Sequence, residues 1–336
     1  MKNACFRLLC PALCLLLLAS CKAKIAGDDN DPIFKQAGLS AITEKIHKDP
    51  KNAALYFERG NTLHEMEKDS LAIKDLKKAC ELDSSKAEYF SAVGNVLFEH
   101  KDISGSVQWI KKAVEINPED GKARMKIAKM FLYIKQYDNA FAQLNIVLRH
   151  NVYDPEAYFL KGMVYKDMKD TGKAISSFLT AVQVAPEYKP AIIQLAQMYA
   201  MKNDPIALKY YDNAFKLDTA DVFPIFAKGV FYKDRKDYVN AKLAYTECVM
   251  RDHQYANAYL NMGWLLLQQD SLEKAKHQFD LVAKIDPTNA EAYYNRGLCN
   301  EWLHNKQDAI NDYKQALVFS TDYKEAREGL KRLGSK

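Results

Sequence analysis

The chain has 336 residues, 48% of them hydrophobic and 27% charged, and its 48 basic and 43 acidic residues leave a formal charge of +5. That near balance excludes a strongly electrostatic partner. Nucleic-acid binding needs a clustered basic stripe, whereas here lysines alternate with acids along helix faces that read as solvated.

In chain order the first element is a leader. Lys2 and Arg7 precede an apolar run from Leu8 to Leu18 that is too short to span a bilayer and reads as a secretory signal over residues 1–20. The run ends in Leu18, Ala19, Ser20 and Cys21, which resembles the lipobox of bacterial lipoproteins. The resemblance implies that Cys21 becomes the lipidated N-terminus and that acyl chains anchor the protein to a membrane; plain signal-peptide cleavage is the alternative. Lys22, in place of the aspartate that retains some lipoproteins in the inner membrane, implies the outer membrane facing the periplasm. The acidic stretch Asp28, Asp29 and Asp31 keeps display on the cell surface open. Cys5, Cys10 and Cys14 belong to the leader, so Cys80, Cys248 and Cys299 remain as an odd set that reads as buried, inert thiols rather than a disulfide framework.

Residues 21–38 lack apolar periodicity and read as a flexible tether. Residues 39–52 follow as an N-terminal capping helix, with Leu39 to Pro50 as an unpaired second helix.

From residue 53 the chain repeats itself. Gly60, Gly94, Gly162, Gly229, Gly263 and Gly297 fall 34 residues apart or at twice that spacing, once one residue short. Glycine inside a helix costs roughly 1 kcal/mol relative to alanine, so a periodic glycine marks a place where two helices approach too closely for a Cβ. With the glycine as position 8, position 20 is Ala72, Ala140, Ala174, Ala207, Ala241, Ala275 and Ala309, with Ser106 as the exception. Position 24 is large (Leu76, Ile110, Leu144, Phe178, Tyr211, Tyr245, Phe279, Tyr313) and position 27 small (Ala79, Ala113, Val147, Ala181, Ala214, Cys248, Val282, Ala316). Together with Tyr56, Phe90, Tyr158, Tyr259 and Tyr293 at position 4 and Pro118, Pro186 and Pro287 at position 32, the pattern resembles the tetratricopeptide repeat (TPR). The resemblance implies an all-α, right-handed superhelical α-solenoid of about eight helical hairpins over residues 53–323, closed by a capping helix in 324–336. The repeats begin at residues 53, 87, 121, 155, 189, 222, 256 and 290. The fifth is one residue short, and Asn203, Asp204 and Pro205 place the deletion in its turn. Ala128 and Ala196 replace the glycine in repeats 3 and 5, and Arg124 and Asn300 stand where apolar residues are expected, predicting local packing faults.

Nothing in the sequence carries catalysis. There is no G-x-S-x-G, Walker loop, H-E-x-x-H or paired C-x-x-C, and the seven histidines form no i, i+3 or i+4 pair, so no catalytic residue, metal or cofactor is expected. Function is expected on a surface. Positions 2, 5, 9, 12 and 13 of each first helix form the face that lines the concave groove in TPR proteins. Here that face supplies Phe57, Asn61, Asn95, Phe98, Met125 and Tyr133 early, and Phe159, Met163, Phe223, Phe226, Trp264, Leu267, Tyr294, Leu298 and Trp302 later. An apolar and aromatic strip marks an interface. Asn61, Lys122 and Lys126 match part of the family's two-carboxylate clamp, but Phe57 and Ala92 stand where it has lysine and asparagine, which argues against that mode. The chain therefore resembles envelope accessory lipoproteins. It is expected to be a non-enzymatic scaffold that binds a peptide or helix of an envelope assembly, secretion or pilus component, with no nucleic acid and no small-molecule substrate. The alternatives are a glycan- or peptidoglycan-binding accessory protein using Asn61, Asn95 and Gln197 beside the aromatics, or an adaptor docking envelope hydrolases or proteases.

Overall fold

The structure, a computed structural model, describes residues 31–335. The expected leader, Cys21 and the start of the tether lie outside them. Among the described residues there are eighteen α-helices and a short 3-10 helix at Pro32–Lys35, with no strand. None of these helices is long and apolar enough to cross a membrane. The chain divides into two compact units, one ending at Ala123 and the other beginning at Arg124.

In the first unit α1 (Leu39–Lys48) precedes two hairpins, α2 (Ala53–Glu65) with α3 (Asp69–Leu82) and α4 (Ala87–Glu99) with α5 (Ile103–Ile116). The division falls inside α6 (Gly121–Tyr133). The second unit continues with α7 (Tyr137–His150), α8 (Pro155–Asp167), α9 (Thr171–Val184), α10 (Lys189–Met201), α11 (Ile206–Leu217) and α12 (Phe223–Asp234). It closes with α13 (Tyr238–Arg251), α14 (Ala256–Leu267), α15 (Leu272–Ile285), α16 (Ala290–Trp302), α17 (Lys306–Phe319) and the capping helix α18 (Lys324–Arg332).

The hairpin turn has one construction throughout. Position 15 is left-handed in every repeat: Glu67, Lys101, Lys135, Lys169, Asn203, Lys236, Asp270 and His304 have φ between 56° and 64° and are all the non-glycine residues with positive φ among the described residues. The next residue's N–H reaches back to the last turn of the first helix, as in Lys68 to Leu63 O (2.8 Å) and Asp170 to Tyr165 O (2.9 Å). This is a Schellman closure built without glycine. Asp102, Asp170 and Asp237 at position 16 then cap the second helix by accepting from the amide three residues on. In the short fifth repeat, Ala207 N donates to Asp204 O, three residues back, where Ala174 N donates to Asp170 O, four back. The missing residue is thus absorbed as a tighter first turn, in the place the sequence indicated.

The periodic glycines mark helix contacts. A Cβ on Gly60 would lie 2.8 Å from Leu76, on Gly229 2.5 Å from Tyr245 and on Gly263 2.6 Å from Phe279. All seven position-20 alanines are fully buried. Ser106, their exception, is buried as well and donates its hydroxyl to Gly94 O at 2.5 Å.

Several expectations need correction. Arg124 and Asn300 are buried but satisfied: Arg124 Nη1 donates to Gln143 Oε1 (2.7 Å) and Asn300 Nδ2 to Asp312 Oδ2 (2.9 Å), so neither is a packing fault. The end of the expected tether is structured. Asp31 accepts from Ile33 N to start the 3-10 helix, and Ile33 and Phe34 are buried with Leu39, Leu63 and Ala72. Two apolar residues, too few to show a period, are enough to seal the end of the stack. Over Phe34 lies the guanidinium of Arg59, 4.6 Å from the ring centroid, paired with Asp75 at 2.6 and 2.9 Å in a buried bidentate bridge. In the second unit, Arg332 pairs with Glu301 at 2.9 and 2.8 Å and holds α18 in place.

Candidate functional site

The face nominated from the sequence separates into rings that fill the seams between helices and residues that stay in solvent. Position 5 belongs mostly to the first group. Phe159 lies between Phe178 (5.8 Å) and Tyr188 (5.7 Å), Phe226 between Tyr245 (5.7 Å) and Tyr255 (5.2 Å), and Tyr294 between Tyr313 (5.8 Å) and Tyr323 (5.1 Å). Each is a half-buried ring held by position 24 of its own repeat and by position 34. Phe57 is likewise half-buried on Tyr89, 4.8 Å away. Met125 is buried and offers nothing to a surface, which corrects its place among the groove residues. Met163, Leu267 and Leu298 are half-buried, as are Asn61 and Asn95.

The exposed members are Phe98 in the first unit and Tyr133, Trp264 and Trp302 in the second, with Tyr133 68% and Trp302 49% accessible. Trp264 is edge-on to Tyr238 (6.0 Å), and Lys233 Nζ stands 5.5 Å from its ring.

Between α10 and α12 this face deepens into a cleft of about 430 Å³. Phe223, Phe226, Val230 and Phe231 line it from α12, Ala200 and Met201 from α10, and Gln197, Lys166 and Asp234 supply polar groups. Met201 is 80% exposed. Phe223 and Phe226 are brought together here as the spacing implied; Trp264 and Trp302 are not part of the cleft. An apolar concavity with a few polar groups is the usual form of a recognition site. A second cavity, about 560 Å³, lies on α15, α16 and α17, lined by Asp280, Arg296, Asn300 and Asp312 among others. Its polar groups satisfy one another: Arg296 bonds Asp312 at 2.7 Å and Asp280 at 2.9 Å. The apolar cleft is therefore the stronger candidate, since its lining is mostly apolar and Met201 at its edge is exposed.

One cluster escaped sequence reasoning. His64 and His100, 36 residues apart, share one carboxylate: His64 Nδ1 lies 2.5 Å from Asp69 Oδ1 and His100 Nε2 lies 2.6 Å from Asp69 Oδ2. The His64 hydrogen bond, then that of His100, holds the Asp69 carboxyl below its ordinary value against the opposing effect of burial. Among the described residues no group of three donors could hold a metal ion. The three remaining thiols are buried and unpaired by disulfides, and burial raises Cys80 to about 11 and Cys248 and Cys299 to about 12, which makes them inert as nucleophiles at neutral pH.

Residues 53–86, 155–188 and 256–289 each match the model of the tetratricopeptide repeat. The chain carries TPR repeats. Among curated relatives, the DnaJ homolog subfamily C member 7 homolog of Dictyostelium discoideum is 23% identical over 56% of this chain and 38% of its own length. Tetratricopeptide repeat protein 16 of Macaca fascicularis is 23% identical over 95% of this chain and 35% of its own length. The chain thus spans under two fifths of the length of each of these two relatives. Among solved structures, a TPR protein from Parabacteroides merdae superposes with a TM-score of 0.54 at 15% identity, over 75% of this chain and all of that one. PilW, described as a type IV pilus biogenesis factor, gives 0.52 at 16% identity over 63% of this chain and 99% of its own. Both likenesses are of the all-α TPR fold.

Proposed function

We propose that this chain is a non-enzymatic interaction scaffold, anchored by lipid on Cys21 in the bacterial envelope, whose cleft between α10 and α12 holds an apolar segment of an envelope assembly, secretion or pilus protein. The observation that carries this is the cleft itself: a concave, largely apolar surface beside an 80% exposed methionine, on a repeat fold whose members generally bind proteins. About 430 Å³ accepts one or two large apolar side chains, which suits anchor residues one turn apart on a helix or alternating along a strand. The lipobox-like sequence before Cys21 and the shared fold of PilW, a pilus biogenesis factor, support the setting.

The test is a photocrosslinking amino acid at Met201, with Met250 on the outer face of α13 as the control site, in cells carrying the intact lipoprotein. An adduct to one envelope protein from Met201 alone, lost on Val230→Glu, is expected. Equal adducts from both sites, or an adduct unaffected by Val230→Glu, would refute the cleft as the binding surface. Labelling of Cys21 with a clickable fatty acid tests the anchor separately.

A further inference from the structure

The outer helices of repeats 1 and 2 depart from the even charge distribution expected of the chain. Lys74, Lys77 and Lys78 share one face of α3 at i, i+3 and i+4, and Lys111 and Lys112 of α5 hold in the next repeat the places of Lys77 and Lys78; all five are exposed. The two rows lie side by side, because Trp109 of α5 has Lys77 Nζ 5.6 Å and Lys112 Nζ 5.0 Å from its ring. The indole is half-buried and rests on Phe90 at 5.7 Å. The acids on these faces are Glu81, 3.0 Å from Lys78, and Glu115; Asp75 is turned inward to Arg59. The corresponding pairs elsewhere are Asn145 and Ile146, Leu179 and Thr180, Asp212 and Asn213, Thr246 and Glu247, Asp280 and Leu281, and Lys314 and Gln315, so the double lysine belongs to these two repeats alone.

We propose that this face docks on an anionic phospholipid surface, with Lys74, Lys77, Lys111 and Lys112 meeting lipid phosphates and Trp109 at the level of the headgroups. Two rows that meet around one indole spread positive charge over a plane rather than along a single helix. A bilayer matches a plane, whereas a single acidic peptide follows a line. Lysines gain from an anionic bilayer roughly in proportion to their number, and their stems can lie along the apolar ring while the ammonium reaches outward. Indole is the side chain suited to the boundary between apolar and wet layers. The proposal depends on neither the lipid at Cys21 nor the cleft of α12.

The test uses the full chain with Cys21→Ser, so that no acyl chain contributes, and sedimentation with vesicles of phosphatidylcholine containing about one-third phosphatidylglycerol. Binding beyond that to pure phosphatidylcholine vesicles, which measures any contribution of residues 1–20, is expected at low salt and is expected to vanish near 1 M salt, where the screening length falls to about 3 Å. Lys74→Gln, Lys77→Gln, Lys111→Gln and Lys112→Gln together should lower the partition coefficient roughly tenfold or more. Removing four exposed lysines elsewhere, Lys202, Lys209, Lys216 and Lys274, should leave it unchanged with the same loss of net charge. Equal losses in the two variants, salt-insensitive binding, or saturable binding of polyglutamate with none to the vesicles would overturn the proposal. Circular dichroism of the exposed-site variants guards against misfolding, and because the Met201 crosslink is read separately, failure here leaves the scaffold reading standing.

Discussion

The 34-residue glycine period makes a sharp stability prediction at Gly162. A Cβ there would come within 2.5 Å of Phe178 Cδ1 and 2.9 Å of its Cζ, while carbon pairs rest near 3.5 Å, so the ring must move by about 1 Å. It has nowhere to go: Phe178 is fully buried, with Phe159, Ala174, Leu195 and Met198 around it. Overpacking of this kind costs about 1–3 kcal/mol, and the intrinsic gain of replacing a helical glycine with alanine, about 1 kcal/mol, offsets part of it. Gly162→Ala should therefore destabilise by up to about 2 kcal/mol. Gly172→Ala, whose Cβ meets nothing nearer than Asp170 Oδ1 at 3.8 Å, should be neutral or stabilising by up to about 1 kcal/mol. Phe178→Leu should relieve the clash, as the natural pair Ala128 and Leu144 in repeat 3 shows to be compatible with the fold. A double-mutant cycle should then return a coupling of about 1–2 kcal/mol. Urea unfolding followed by far-UV circular dichroism supplies the energies, and hydrogen exchange of the α8 and α9 amides localises them, since repeat arrays need not unfold in one step. If Gly162→Ala stabilises as Gly172→Ala does, the glycine period is not steric and the explanation of the repeat fails.

Lys169→Gly and Lys236→Gly should each stabilise by about 0.5–1 kcal/mol in the same assay, because φ of 63° and 60° strains any residue with a Cβ. Asp75→Asn should cost about 3–5 kcal/mol by stranding the buried Arg59, whereas Arg59→Met with Asp75→Leu should cost far less, measured by urea midpoints. Glu301→Gln should remove about 0.5–1 kcal/mol at pH 7, a value kept small by solvent around the half-exposed Arg332. The Arg332 bond holds Glu301 below its ordinary 4.5, so this stability is present above that pH and is lost as pH falls through the depressed value; wild type and variant should converge in acid melts. Phe226→Ala should lower stability through its contacts with Tyr245 and Tyr255, whereas Met201→Ala should leave the melting curve unchanged, so only the latter probes binding cleanly.

The repeat was legible in the sequence: its period, its hairpins, its alternation of small and large positions and the site of the one-residue deletion. These rest on helical spacing and side-chain size within a single repeat, both of which are local. Tertiary structure decided what the nominated face does. Helical arithmetic puts Phe226 and Trp264 on one face, but only the fold brings Tyr255, from the loop between repeats, onto Phe226 and makes it a seam ring while Trp264 remains half in solvent. The same holds for charge. Arg59 finds Asp75 across a hairpin, His64 and His100 meet on Asp69 across two repeats, and the lysines of α3 and α5 become neighbours around Trp109. A one-dimensional pattern fixes which residues share a helix face, and stacking alone decides which faces are covered.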